Sequence, residues 1–200
     1  MKVAILASTK GTDMEAIFEA IKDGRLRGVE ISMVISDRKD AYALERARNH
    51  GIKGIFVDPG GKKREEYDRE LAVILGDVDL MLLIGYMRLL SPWFVERYRN
   101  RIINVHPSLL PAFGGGMDLD VHKKVLEYGA KVSGATVHFV DEGADTGPVI
   151  LQRAVEICDD ETPESLKAKV QKVEGELLVE VVELLRDGKI RVEERRVKIA

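Results

Sequence analysis

Short apolar runs alternate with segments whose apolar residues recur every three or four positions, and the alternation continues along the chain. "KVAIL" (Lys2–Leu6) has the form of a buried strand, after which Met14, Ile17 and Ile21 mark one face of a helix that stops at Gly24. "VEISMVIS" (29–36) predicts a second strand, followed by a helix near 41–50 that Gly51 closes. "IKGIFVD" gives a short third strand, and Tyr67, Leu71 and Ile74 stripe the next helix. "LMLLIG" (80–85) is the most hydrophobic strand and is expected at the centre of a sheet. "RIINV" predicts another strand, and 121–126 falls in a further helix. "GATVHFV" and "GPVILQRAVEI" read as two β segments separated by a turn at 141–147. Thr162-Pro163-Glu164 is a helix start, and Leu166, Val170, Val173, Leu177 and Val181 stripe a long helix capped by Gly188.

Strands alternating with helices predict an α/β domain with a largely parallel sheet. Such sheets carry their sites outside the carboxyl ends of the strands, where the strand order reverses. The chemistry is therefore expected after Leu6, after Gly85, after Val105 and in the turn after Val140. Two hundred residues that are 45% hydrophobic suit a single domain. A net charge of −3 without a long single-sign block speaks against nucleic acid and against a polybasic membrane anchor. Cys158 is the lone cysteine, which excludes a disulfide framework and cysteine-based zinc sites. The apolar start is too short for a signal peptide or a span, so a cytoplasmic protein is expected.

Asn104 and His106 end a strand two residues apart, so both face one side, and Pro107 takes the chain out of the sheet there. An amide beside an imidazole can donate to a developing oxyanion, and the imidazole can also move a proton. The same pair could equally be a polar cap on the loop. Asp145 lies in "DEGADTGPV", where it is either a plain turn residue or a carboxylate that favours a charged histidine nearby. "ASTKGTDMEAI" suits a phosphate at a helix N-terminus with Lys10 adding charge, or a simple turn capped by Thr12 or Asp13. It has neither dinucleotide nor Walker glycine spacing. The loop Tyr86, Met87, Arg88, Leu89, Leu90 could line a flat apolar pocket or plug into the core. His138, alternating with Val137 and Phe139, reads as a packed, hydrogen-bonded histidine, and no metal site is evident.

At "NVHPSLLP" together with "DEGADTGPV" the chain resembles the formyltransferase family that uses 10-formyltetrahydrofolate. "REEYDREL", "GYMRLLSPWFV" and "VHFVDEGADTGPVI" also follow the family's order, from Met1 to about Gly188. The resemblance implies a Rossmann-like, doubly wound, mostly parallel sheet flanked by helices. It implies a single domain over 1–200, with a nucleotide- and phosphate-binding half (1–100) and a catalytic, folate-binding half (101–200). Asn104, His106 and Asp145 would be the catalytic trio. Lys10, Gly11, Thr12, Asp13 and Glu174 would hold a nucleotide substrate. Arg64, Tyr86, Met87, Arg88, Leu89, Leu90, Asp141 and Glu142 would hold the folate. The implied partners are small molecules, 10-formyltetrahydrofolate as co-substrate and glycinamide ribonucleotide as acceptor. No metal, nucleic acid or membrane is implied, and the state is a monomer or homodimer. The alternatives are hydrolysis of the formyl donor, another amine acceptor, or binding without turnover. Two departures bear on the acceptor. The family's phosphate loop usually reads S-G-x-G-S-N, whereas here Thr9 replaces a glycine and Asp13 the terminal Asn. The stretch 114–120 differs as well.

Overall fold

The structure, a computed structural model, describes residues 1–116 and 119–200, the side chain of Leu119 excepted. Among these residues the strands β1 (Lys2–Leu6), β2 (Glu30–Ser36), β3 (Gly54–Phe56), β4 (Leu80–Leu83), β5 (Ile102–His106), β6 (Val132–Phe139) and β7 (Val149–Glu156) form one sheet. Its order is β3-β2-β1-β4-β5-β6-β7. The first five strands pair in parallel, whereas β6 and β7 are antiparallel. The order reverses between β1 and β4, which opens the crevice where such sheets bind ligands. The helices are α1 (Met14–Lys22), α2 (Tyr42–Asn49), α3 (Arg64–Leu75), α4 (Pro92–Arg97), α5 (Leu119–Tyr128) and α6 (Pro163–Arg186).

Alternation along each central strand feeds two cores. Val3, Ile5, Leu82, Ile103 and Val105 pack with Ile17 of α1, Val121 of α5 and Val170 and Leu177 of α6. Ala4, Leu6, Met81, Leu83 and Ile102 turn the other way, to Tyr67 and Leu71 of α3 and Phe94 of α4. A sheet covered on both faces explains why β1 and β4 read as unbroken apolar runs. The expected α3 stripe is shifted: Leu75 is buried, whereas Ile74 is only half-buried. β4 stops at Leu83, short of the expected 85, because Gly85 turns the chain at φ 60°.

Thr162 starts α6 as foreseen: its hydroxyl accepts from Ser165 N–H (3.1 Å), while Ser165 Oγ accepts from Thr162 N–H (3.0 Å). Midway, α6 meets α1 at Gly175, where an added Cβ would lie 2.9 Å from that of Ala16. A hairpin, β8 (Ile190–Glu193) and β9 (Arg196–Ile199), follows α6; its charged residues hid a two-residue alternation. Arg195 in its turn donates to the carbonyl of Thr146 (2.8 Å). Met117 and Asp118, within the departing stretch 114–120, lie outside the described residues. Among the described residues no helix is long and apolar enough to cross a membrane.

Candidate active site

β5 places the site. Ile103 and Val105 go into the α1/α6 core, so Asn104 and His106 occupy the opposite face at the strand's end. The antiparallel partner β6 sets His138 opposite Asn104 and Thr136 opposite His106. The turn after β6 is tied by Asp141, whose Oδ1 accepts from Gly143 N–H (3.1 Å) and Thr146 Oγ1 (2.6 Å). It holds Asp145 in the left-handed region, at φ 56°, a conformation that non-glycine residues seldom adopt. Gly147 has no alternative there, because a Cβ would collide with the carbonyl of Phe139.

Asp145 is the hub of this cluster. Its Oδ1 accepts from Asn104 Nδ2 (3.2 Å) and faces His138 Nε2 (3.6 Å). Its Oδ2 faces His106 Nδ1 (3.3 Å) and accepts from Gly115 N–H (2.9 Å). Burial pushes the carboxyl up, but its neighbours His138 and His106 and the Gly115 amide together outweigh it. They hold Asp145 below the usual carboxylate range.

His138 sits with Nδ1 2.8 Å from the carbonyl of Phe139, which puts its proton on Nδ1 and leaves a lone pair on Nε2. Asn104 Nδ2 lies 3.2 Å from that lone pair. Because an ionised carboxylate only accepts, the nitrogen side of the Asn104 amide must face Asp145. Both its hydrogens then have protein partners. His106 is almost fully buried, with Nε2 3.0 Å from the carbonyl of Phe113. Burial lowers its pKa, and although Asp145 and the Phe113 carbonyl favour the charged form, the net stays below ordinary histidine. Two causes therefore oppose each other at His106: burial pulls its pKa down, while an acceptor at each ring nitrogen, Asp145 and the Phe113 carbonyl, favours the imidazolium.

The cluster opens into a cavity of about 760 Å³. One wall is the loop Thr9, Lys10, Gly11, Thr12 and Asp13 with Glu174 of α6, and another is Tyr86, Met87, Arg88, Leu89 and Leu90. Asp141 and Glu142 border it beside Asp145. Ser8 joins the two loops, donating its N–H to the Gly85 carbonyl (3.1 Å) while its hydroxyl accepts from Met87 N–H (2.9 Å). Thr9, where the resemblance leads one to expect glycine, fits because Gly85, bare of a side chain, lies against its hydroxyl. The start of α1 is closed by backbone turns, Met14 N–H to Gly11 O (3.1 Å) and Glu15 N–H to Thr12 O (3.2 Å). Asp13, at the N-cap, makes no side-chain cap bond, so the expected capping by Thr12 or Asp13 gives way to these turns. In the second loop Tyr86 and Leu90 are buried while Met87 and Leu89 stand about half exposed. The Arg88 guanidinium lies 4.4 Å from the centre of the Tyr67 ring. Burial pushes the Tyr67 hydroxyl up to about 12. Arg64 is the exception among the expected residues: it is exposed at the start of α3, outside the cavity lining. Among the described residues no group of three or more His, Cys, Asp or Glu could hold a metal ion.

A protein-family model described as formyl transferase matches residues 1–182 of the chain. The chain belongs to the formyl transferase family. This formyltransferase is 37% identical over 197 residues to phosphoribosylglycinamide formyltransferase of Escherichia coli K12, covering 97% of the chain and 91% of that relative. It is 42% identical over 178 residues to the trifunctional purine biosynthetic protein adenosine-3 of Drosophila melanogaster, covering 86% of the chain and 13% of that longer protein. The solved structure of glycinamide ribonucleotide transformylase 1 from Symbiobacterium toebii superposes with a TM-score of 0.94 at 42% identity, covering all of this chain and 93% of the other. The mixed α/β architecture with a mostly parallel sheet is thus the one these formyltransferases share.

Sequence reasoning missed His138. It is packed and hydrogen-bonded, as expected, but to the site's own Asn104 amide, with the Asp145 carboxylate 3.6 Å away. Alternation in "TVHFV" put it on the face of Thr136, yet only the register of β6 against β5 brings it to Asn104.

Proposed function

We propose that this formyltransferase moves the formyl group of 10-formyltetrahydrofolate to the primary amine of glycinamide ribonucleotide, a step of purine biosynthesis. One observation carries the reading. The Asn104–His106–Asp145 cluster lies in a single cavity between a loop at a helix N-terminus, suited to phosphate, and a partly apolar loop, suited to a flat ring system. The named relatives support the choice of acceptor.

In the proposed reaction the amine attacks the formyl carbon, a C–N bond forms, and the carbonyl oxygen becomes an oxyanion. Collapse breaks the bond from that carbon to the folate N10, and the proton lost by the amine ends on N10. Asn104 and His106 are the donors for the oxyanion, which replaces His138 as the partner of one Asn104 hydrogen and the Phe113 carbonyl as the partner of His106 Nε2. The amine's proton passes by way of Asp145 and His106 on its path to N10, and both His106 ring nitrogens already face an acceptor, Asp145 or Phe113. Asp145, held ionised, steadies the imidazolium and is the site through which the amine's proton leaves. Lys10, Gly11, Thr12, Asp13 and Glu174 are assigned to the nucleotide. Tyr86, Met87, Arg88, Leu89, Leu90, Asp141 and Glu142 are assigned to the folate, with Arg64 an outer residue of that side. A cytoplasmic monomer or homodimer belongs to the same proposal.

Folate absorbance in the presence and absence of glycinamide ribonucleotide tests it. Turnover is expected with the nucleotide alone, and Asn104→Ala or His106→Ala should each lower kcat by about 10²–10³. Formate release without any amine would make the protein a hydrolase. Full activity in either variant would remove the cluster from the chemistry.

A further inference from the structure

The phosphate loop departs from its family's pattern and carries an anion, Asp13, at the place proposed for phosphate. What turns its backbone towards an anion lies behind it, on α2. Two successive carbonyls are tied away from the cavity: Thr9 O accepts from Ala43 N–H (3.2 Å), and Lys10 O accepts from Arg46 Nε (2.8 Å). A peptide unit is planar and trans, so the N–H of the next residue points opposite to each carbonyl. Holding those two oxygens outward therefore aims the Lys10 and Gly11 amides inward, the arrangement that makes an anion-binding nest. Arg46 is itself fixed. Its Nη1 donates to Glu15 Oε1 (2.6 Å), its guanidinium lies 5.0 Å from the Tyr42 ring centre, and its side chain is 20% exposed. Glu15 also holds His50 Nε2 (2.9 Å), which gives the arginine a rigid counter-anion.

We infer that Arg46 is a positioning residue for the phosphate end of the acceptor: by holding the Lys10 carbonyl it keeps the loop competent for an anion despite Asp13. It is not among the cavity-lining residues, so it acts through the loop and not by touching the ligand. The nature of the acceptor rests on the function proposed above; the inference about anion binding does not.

The test uses the whole chain and ribose 5-phosphate, with ribose as control, in calorimetric titration, together with steady-state kinetics on both substrates. Arg46→Lys keeps the positive charge but cannot serve the carbonyl, the carboxylate and the ring together. It should weaken ribose 5-phosphate binding and raise the KM for glycinamide ribonucleotide, each about tenfold. The kcat and the KM for the folate should stay within about twofold, which also reports an intact fold. Arg46→Gln, which can still donate to the carbonyl, should bind ribose 5-phosphate better than Arg46→Ala. Wild-type affinity in Arg46→Lys, an equal loss for ribose, or a wild-type chain blind to ribose 5-phosphate would each overturn the inference. Ribose 5-phosphate binding without transfer to glycinamide ribonucleotide would instead overturn the proposed function and leave Arg46 in place.

Discussion

Three side chains share the carboxylate of Asp145, and their legibility differs for physical reasons. Asn104 and His106 announce themselves because two polar residues at i and i+2 break an apolar strand on one face. Asp145 reads as a turn residue in isolation, since nothing in local composition tells a carboxylate which strand end it will meet. His138 hides because its role depends on register across β5 and β6, a long-range pairing. Its place supports a specific outcome. His138→Phe leaves one Asn104 amide hydrogen without its partner and frees the amide to rotate. The kcat should fall about tenfold to a hundredfold with either KM little changed, since a buried hydrogen bond lost beside the reacting group costs roughly 1–3 kcal/mol. His138→Gln, which can still accept from Asn104, should recover part of the loss. Single-turnover rates at saturating substrates decide the matter, and an unaltered rate in His138→Phe would reduce the residue to packing.

At the scale of elements, strands were the easiest to read, because apolar runs such as "KVAIL" and "LMLL" leave few alternatives once a sheet is covered on both sides. Ends were harder: β4 stops early at a glycine turn and the α3 stripe slides by one residue. The closing hairpin was missed because charges fill every second position. The crossing of α1 and α6 could not be read at all, for a glycine inside a helix signals only that something comes near. Here it is Ala16, and the crossing brings Glu174 to the loop after β1. Gly175→Ala gains about 1 kcal/mol of helix propensity and loses roughly 1–3 kcal/mol to overpacking against Ala16. The net expected from urea unfolding is destabilisation, with a raised KM for the nucleotide. Ala16→Gly in the same chain should relieve both. Gly175→Ala as stable as the parent would mean the two helices part at no cost.

The whole molecule responds to acid through the same site. His106 has a depressed folded pKa, so between that value and about 6.5 the unfolded chain holds a proton that the folded chain refuses. Stability should therefore fall as pH drops below about 6.5 and level off once the folded histidine titrates. Asp145 is also depressed, and its contribution is lost lower, as pH falls through its folded value beneath the ordinary carboxylate range. Scanning calorimetry from pH 8 to pH 4 should show the first decline, and His106→Gln should flatten it. A decline unchanged in that variant would place the acid sensitivity elsewhere. The parallel part of the sheet was legible from the alternation of elements, whereas the antiparallel run of β5, β6 and β7 was not, because β6 follows a helix as a parallel strand would. The meeting of residues 9–13 with Glu174 was not, because it depends on the last helix reaching back across the sheet. That reach has a consequence in time. During synthesis at about 5–20 residues per second, α1 leaves the ribosome roughly 10–30 s before α6, the helix that packs on it. Until Val170, Leu177 and Val181 emerge, the core that Val3, Ile5 and Ile17 share with them is incomplete. The newborn chain thus carries an uncovered apolar face for most of its synthesis, and the moment that face is sealed is also the moment its ligand cavity first exists.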